Sequence, residues 1–409
     1  MSTWYTGTDR HERIANALAV NGFGCLLALT PENAAYLSGQ SNYIATNWRV
    51  PGLFSVAIGT RGARAVVAPD FGGDPAVSTS DERFAFRIWT ESIDVRGVAG
   101  DSIAERVRAA RSGTVARPAQ FDLEEVLDRV AEAVRAVAPE VNRVGADLES
   151  VSAMSRDGLQ GRLPVVEWVD ATSVFDDLRA LKDADEIALL RLAGELTEVG
   201  IAGAVARLEP GMSEAAVNAA YQVAVHERVI TDSRFAAFRQ AEGLASIGFG
   251  ADVPHVVGPG RTIKFDMQVD VGGYHSDIGR TYAMAPTREQ RDVFAALHGA
   301  LTAAQERVKP GVTFAEVFRV GTAAMHDAGY ANYGRGHLGH SVGLTQHFEE
   351  PPFIAPDESR PLVPGMVVSL ELPYYVYGVG AFQLERMLLI TADGHEAIDR
   401  LPFDFELPF

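Results

Sequence analysis

The stretch Ile263-Lys264-Phe265-Asp266-Met267-Gln268-Val269-Asp270-Val271-Gly272-Gly273-Tyr274-His275-Ser276-Asp277 decides how this chain is read. Its two outer carboxylates stand eleven positions apart with a turn signal between them. If the strands fold back around Val271 and Gly272, Asp266 and Asp277 pair directly across the ladder, about 5 Å apart on one face. Facing carboxylates repel each other unless a cation lies between them, so the pattern predicts a metal ion. Two-metal hydrolytic centres hold their ions about 3.5–4 Å apart, a gap such a pair can bridge.

Two further clusters lie downstream. Gly336-His337-Leu338-Gly339-His340-Ser341-Val342-Gly343-Leu344-Thr345-Gln346-His347 holds three of the ten histidines of the chain. Imidazole is both a neutral metal ligand and a proton carrier near pH 7, and the interleaved glycines let backbone approach a site closely. Then Pro364-Gly365-Met366-Val367-Val368-Ser369-Leu370-Glu371 and Gly378-Val379-Gly380-Ala381-Phe382-Gln383-Leu384-Glu385 each end a β-forming apolar run in a glutamate. A register centred on Gly378 makes Glu371 and Glu385 face each other. Burying a glutamate behind Val-Val-Ser-Leu is costly without a counter-ion. Basic residues near these clusters in sequence are few, which favours metal ligation over salt bridging.

Bulk properties narrow the class. The 409 residues suffice for two or three domains, and an apolar fraction of 47% with 22% charged is ordinary for a globular protein. A net charge of −18 argues against nucleic acid or an anionic membrane as partner. The single cysteine, Cys25, has no partner for an intrachain disulfide, which suits the reducing cytoplasm. No basic-then-apolar leader opens the sequence and no apolar run is long enough to span a membrane, so a cytoplasmic protein is expected.

The first part of the chain alternates short apolar runs with helical patterns. Helices are expected at Arg10 to Val20, from Pro31 and at Glu124 to Val137. Strands are expected at Cys25 to Leu29, Leu53 to Ile58, Ala65 to Ala68 and Arg143 to Ala146. After Ser173 a long helix reaches about Arg207, and Glu214 to Val229, Arg288 to Val308 and Thr313 to Ala328 follow, with strands dominating from Thr262. A division into residues 1–172 and 173–409 results. Pro-Gly at Pro210 and Pro310 ends a helix each time, the hint of a duplicated half-domain.

With these residues assembled, the sequence resembles the creatinase/aminopeptidase P/methionine aminopeptidase superfamily, the pita-bread metallohydrolases. The order Asp, Asp, His, Glu, Glu and the Asp–Asp spacing carry the resemblance from about Leu178 to Leu407. Leu29-Thr30-Pro31-Glu32-Asn33-Ala34-Ala35-Tyr36-Leu37-Ser38-Gly39 is similar to the creatinase-type N-terminal domain. The fold implied is α/β (α+β), a creatinase-type α/β domain followed by a pita-bread catalytic domain. The resemblance implies that Asp266, Asp277, His340, Glu371 and Glu385 bind two divalent ions, Mn favoured over Fe, Co or Zn. Asp277 and Glu385 would bridge, with water activated between the ions and Glu371 taking its proton. His347 would steady the tetrahedral intermediate, with His337 in the same wall. Tyr43, Asn47, Trp48 and Arg49 form an aromatic and polar cluster in a loop-like region, and Tyr43, Trp48 and Arg49 would contact a small-molecule or short-peptide substrate, Arg49 through the substrate's carboxylate. A homodimer is also implied.

Departures from the family pattern qualify the activity. Ser341 follows the ligand histidine where Gly is usual, Leu372 separates Glu371 from Pro373, and Gln383 and Arg386 stand where Arg and Asp are common. The usual upstream catalytic histidine falls near Phe249, and His255 fills that role only if the loop is shortened. A Xaa-Pro aminopeptidase or dipeptidase is therefore one reading. A dedicated small-molecule enzyme on the same scaffold, creatinase-, ectoine hydrolase- or dimethylsulfoniopropionate lyase-like, is the alternative. A non-catalytic binding module is disfavoured by retention of all five ligands.

Overall fold

The computed structural model describes residues 9–40, 42–71, 81–111, 116–345 and 349–407. The chain divides into two compact units, the border falling between Leu178 and Arg179. None of the described helices is long and apolar enough to cross a membrane.

The first unit is a mixed sheet with helices. Helix α1 (Arg10–Asn21) starts where Asp9 accepts the Glu12 N–H and stops at Gly22, whose φ of 64° closes it. Strand β1 (Cys25–Ala28) is buried throughout, and α2 (Pro31–Ser38) opens with Pro at its first turn. Residues read as loop-like form α3 (Tyr43–Trp48) instead, because Asn42 caps it through the Ala45 N–H. Then come β2 (Ser55–Gly59), β3 (Arg64–Pro69), β4 (Glu82–Phe86), α4 (Ile103–Ala110), α5 (Leu123–Val137), β5 (Arg143–Ala146), α6 (Ala153–Arg162), β6 (Glu167–Asp170) and α7 (Thr172–Ala180). The sheet runs β4-β3-β2-β1-β5-β6. Asp147 locks its centre: its buried carboxylate accepts from Leu29 N at 2.7 Å, Thr30 N at 2.9 Å and Asn33 Nδ2 at 2.8 Å.

The second unit begins with helix α8 (Ala184–Val205). The single long helical run expected from Ser173 is broken at Leu181–Lys182, which pair instead with Met366 and Gly365. Asp183 then caps α8 in a reciprocal box with Glu186. Helix α9 (Glu214–Thr231), strands β7 (Phe238–Gly243), β8 (Ser246–Ile247), β9 (Arg261–Val271), β10 (Tyr274–His275) and β11 (Ile278–Met284) complete one half. The other half holds α10 (Arg288–Arg307), α11 (Phe314–Asp327), β12 (Gly339–Ser341), β13 (Glu350–Phe353), β14 (Val367–Glu371), β15 (Tyr374–Val376), β16 (Gly380–Phe382), β17 (Glu385–Ile390) and β18 (His395–Ala397), with β19 (Glu406–Leu407) joining β11. Strand order is β10-β9-β11-β19, with β7 and β8 also on β9, and β13-β12-β14-β17-β18 in the second sheet.

The two halves repeat a local device. Gly211 (φ 93°) and Gly311 (φ 85°) follow the two prolines, and each donates its N–H across the helix pair, to Val257 O at 2.8 Å and Leu362 O at 2.9 Å. Each facing segment answers, Val257 N donating to Met212 O and Leu362 N to Val312 O, both at 2.8 Å. Ser213 and Thr313 then cap α9 and α11. The recurrence of helix hairpin, Pro-Gly turn and sheet gives the duplicated half-domain substance.

One register departs from the sequence expectation. The hairpin turns at Gly272–Gly273, not Val271–Gly272, so Asp266 stands opposite Gly279 and the ladder continues to Tyr282 opposite Ile263. A two-residue turn of this hand needs positive φ at both central positions. Gly272 (66°) and Gly273 (95°) accept that, whereas Val271 is β-branched. The slip is two residues, so Asp266 and Asp277 stay on one face as diagonal neighbours.

Candidate metal centre

Strand ends deliver the polar side chains. Asp266 leaves the middle of β9, Asp277 precedes β11, His340 is central in β12, Glu371 ends β14 and Glu385 begins β17. Glu371 and Glu385 pair directly across β14 and β17, as the Gly378-centred register predicts. The two sheets close on each other where Gly279 lacks a side chain. A Cβ there would lie 2.3 Å from Gln383 Cγ and 2.9 Å from Glu385 Cβ. Thr281 Oγ1 donates to Gln383 O at 3.0 Å and accepts from Gln383 N at 2.7 Å, while Ser369 Oγ lies 3.2 Å from Asp277 O and 2.9 Å from Glu385 Oε1.

All five residues line one cavity of about 200 Å³, together with Gln268, His275, Ser276, Ser341, Glu349, Glu350, Gln383 and others. His340 Nδ1 donates to Ser341 O at 2.9 Å, which leaves the Nε2 lone pair 3.6 Å from Asp277 Oδ2. Asp277 Oδ1 is buried without a hydrogen-bond partner among the described residues. Asp277, His340 and Glu385 offer three ligand atoms within 4.8 Å of one another, and His337, Glu349 and Glu371 form a second such group. Burial drives the Asp277 carboxyl well above the usual range, with the charges of Glu385, Asp266 and Glu371 adding to it. Burial likewise raises Glu385, followed by the charges of Glu371 and Asp266. Acceptor facing acceptor, in a buried polar pocket, is an arrangement that a divalent cation reconciles, and a histidine held through Nδ1 by a carbonyl is oriented as metal ligands are.

Cations reach the cluster from places that sequence distance hides. Lys264 Nζ lies 3.0 Å from Asp266 Oδ2, and Arg335 Nη2 lies 2.9 Å from Glu371 Oε1. Gln383 Nε2 donates to both glutamates, at 2.9 Å to Glu371 Oε2 and 3.0 Å to Glu385 Oε2. The scarcity of basic residues noted from sequence is thus corrected by tertiary contacts. Lys264 carried a readable signal, the same strand face as Asp266 two positions on. Arg335 carried none.

The other expected residues are placed as follows. His337 Nε2 lies 3.0 Å from Glu349 Oε2 and its Nδ1, accepting from Gly339 N at 3.3 Å, is 3.4 Å from Glu371 Oε1. The hydrogen bond to Glu349 raises the His337 pKa, and the same bond lowers that of Glu349. His255 is not among the residues lining the cavity. It is half exposed, with Nδ1 3.1 Å from Ile247 O and 3.4 Å from Glu214 Oε1. The loop has not shortened to bring it in, and Phe249 holds the upstream place, packed on Tyr375 and Tyr377 at 5.7 and 5.9 Å. His347 lies outside the described residues. In the first unit, Trp48 stacks on Trp89 at 5.0 Å and Arg49 Nη1 meets Glu32 Oε1 at 2.6 Å, while Tyr43 opens α3.

Four carboxylates and an imidazole around a small polar cavity, on a duplicated α/β scaffold, define a metal-dependent hydrolase. Residues 188–392 match metallopeptidase family M24, and residues 10–181 match the creatinase/prolidase N-terminal domain. The chain is 30% identical over 287 residues to the probable dipeptidase PepE of Mycobacterium bovis, covering 66% of this chain and 71% of that one. It is 27% identical over 271 residues to the putative dipeptidase YkvY of Bacillus subtilis, covering 64% and 72%. Among solved structures, the Xaa-Pro dipeptidase from Bacillus anthracis superposes with a TM-score of 0.76 at 18% identity, over 97% of this chain and 99% of that one. Dipeptidase PepE from Mycobacterium ulcerans superposes with 0.72 at 24% identity, over 97% and 96%. The chain belongs to metallopeptidase family M24 and carries a creatinase-type N-terminal domain.

Proposed function

We propose that the protein is a divalent-metal-dependent dipeptidase acting on short peptides, Xaa-Pro dipeptides foremost. The observation that carries this is the buried meeting of Asp277 Oδ2 and His340 Nε2 at 3.6 Å, two acceptors with Glu385 beside them. The dipeptidase names of the relatives support the substrate class. In this reading Asp266, Asp277, His340, Glu371 and Glu385 would hold two ions. The oxygen-rich donor set suits Mn first.

When bound, the ions supply Lewis acidity, polarising the amide carbonyl and making water nucleophilic at neutral pH. The protein's own groups do the rest. Glu371 receives the proton of the attacking water, its two oxygens held by Arg335 and Gln383. His337, between Glu371 and Glu349, offers that proton a way out, since its Nδ1 is an acceptor and its Nε2–H points to Glu349. Glu385 is steadied by Ser369 and Gln383. His347 is assigned to the wall that steadies the tetrahedral intermediate, and Trp48, Arg49 and Tyr43 to substrate contacts. The protein is read as a homodimer by its family resemblance, and as cytoplasmic in keeping with the lone buried Cys25.

A second reading, a dedicated small-molecule enzyme, is favoured by Gln383 at the place of the usual arginine and by Phe249 at that of the upstream histidine. One panel separates the two. The Mn-loaded protein is assayed against Ala-Pro, Leu-Pro, proline-free dipeptides, betaines and cyclic amidines. Proline release that chelation abolishes and Mn restores supports the dipeptidase. Turnover of a betaine or amidine with no peptide cleaved would replace it by the second reading.

A further inference from the structure

Of the described residues lining the cavity, Glu349 alone is exposed, with 45% of its side chain open to solvent. A carboxylate so placed is ionised at neutral pH. Its Oε2 lies 3.0 Å from His337 Nε2, and its Oε1 meets no partner among the described residues. The other acids of the cavity are engaged. Asp266 faces Lys264, and Glu371 faces Arg335 and Gln383. Glu350, adjacent in sequence, is buried, accepts the Thr345 N–H at 2.7 Å and lies in the field of Arg179 and Lys182. Asp277 and Glu385 form, with His340, the cluster assigned to metal. Glu349 is thus the acid left to meet an incoming ligand.

Resting on the dipeptidase reading, we infer that Glu349 receives the free α-ammonium of the substrate and so fixes which end of the peptide enters. The distances fit this task. A Glu349 oxygen, a Glu371 oxygen and a His337 nitrogen all lie within 4.8 Å of one another. In an α-aminoacyl group the amine nitrogen and the carbonyl carbon are joined through a single atom, about 2.5 Å apart. An ammonium that donates to Glu349 at about 2.8 Å therefore brings its own carbonyl carbon beside Glu371, which receives the proton of the attacking water. The bond cleaved is then the first peptide bond. His337 holds the carboxylate in place, since its Nδ1 accepts the Gly339 N–H at 3.3 Å and its Nε2–H is directed at Glu349. The site takes peptides with a free, protonated α-amine and disfavours those whose amine is acylated or replaced by a neutral group.

The test compares wild type with Glu349→Gln, which keeps an acceptor for the His337 Nε2–H and removes the charge. Both full-length proteins, loaded with Mn²⁺, are given the best-cleaved dipeptide of the panel above and its 2-hydroxyacyl analogue, in which a hydroxyl replaces the amine. Wild type is expected to favour the dipeptide over the analogue by about ten- to a hundredfold in kcat/KM. Glu349→Gln should raise KM for the dipeptide by a similar factor, change kcat little and leave the kinetics of the analogue nearly as they were. Bound Mn per chain, by mass spectrometry, should be the same in both proteins. A preference for the ammonium that survives in Glu349→Gln would overturn the inference. So would an equal loss of kcat on both substrates, which marks a role in the His337 proton path alone, or a loss of Mn, which would make Glu349 a ligand. In those cases wild type still cleaves dipeptides and only this inference falls. If wild type binds Mn²⁺ and cleaves no peptide, the dipeptidase reading falls and takes this inference with it.

Discussion

Asp277 has one unpartnered oxygen, and burial first, then the charges of four acids near it, push its proton affinity up. Without a metal the charged form is a strain on the fold. Its folded pKa is raised, so stability present below the ordinary carboxyl value near 4 is lost as pH climbs through the folded value. Asp277→Asn should therefore raise the melting temperature of the metal-free protein at neutral pH, and lower Mn²⁺ affinity roughly a hundredfold or more. Calorimetry and metal analysis of the same preparation read both. Asp270 offers a cleaner titration at the neighbouring turn. Burial pushes it up to about 6, and its Oδ1 accepts the Gly273 N–H at 2.6 Å. Its contribution is complete below pH 4 and disappears as pH rises through 6. Asp270→Asn keeps the acceptor and removes the titration. Relative to the variant, wild type should lose roughly 3 kcal/mol at most between pH 4 and pH 7, read from urea unfolding at a series of pH values. An identical pH profile in both proteins would remove Asp270 from the account.

At the scale of elements, the centre depends on how closely β11 approaches the β16–β17 corner. Gly279 permits that approach, with no room for a Cβ against Gln383 and Glu385. Gly279→Ala should cost about 1–3 kcal/mol from overpacking, and it should reduce metal affinity more than stability, because Gln383, which donates to both glutamates, and Glu385 are the groups displaced. Unfolding midpoints and Mn²⁺ titration separate the two effects. The paired Pro-Gly turns allow an internal comparison. Gly211 and Gly311 both have positive φ and nothing within 4 Å of an added Cβ, so alanine meets only backbone strain. Each substitution should cost about 1 kcal/mol, and by a similar amount, since the two turns make the same hydrogen bonds. A large difference between the two variants in chemical unfolding would show that the turns are not equivalent.

For the whole molecule, every described candidate ligand lies between Asp266 and Glu385, inside the second unit. Damage confined to the first unit should leave metal content alone. Asp147→Ala removes the acceptor for two backbone N–H groups and Asn33, and should destabilise the first unit by roughly 2–4 kcal/mol. Bound Mn per chain, measured by mass spectrometry at a temperature where the protein remains folded, should match wild type. Loss of metal in step with loss of the first unit would contradict that independence.

Sequence by itself determined the main helices and strands and, through the family resemblance, nominated the candidate donor set. Periodicity and caps place α1, α5, α9, α10 and α11 within a few residues of their observed ends, because those signals act within a turn or two of the chain. The Glu371–Glu385 pairing was legible for the same reason, being set by one local hairpin around Gly378. The Asp266–Asp277 register was missed by two positions, since the hairpin turns on which residues tolerate positive φ and not on the midpoint between the acids. Tertiary structure alone decided the rest. Arg335 reaches Glu371 from 36 positions away, and Glu349 reaches His337 from twelve. Lys182 breaks a helical run to pair its backbone with Gly365. Burial of the cluster, its unpartnered oxygen and the cations beside Asp266 and Glu371 arise when two half-sheets close on one another. Charge acts through space at distances of a few ångströms, and no spacing along the chain records which distant side chains will share that space.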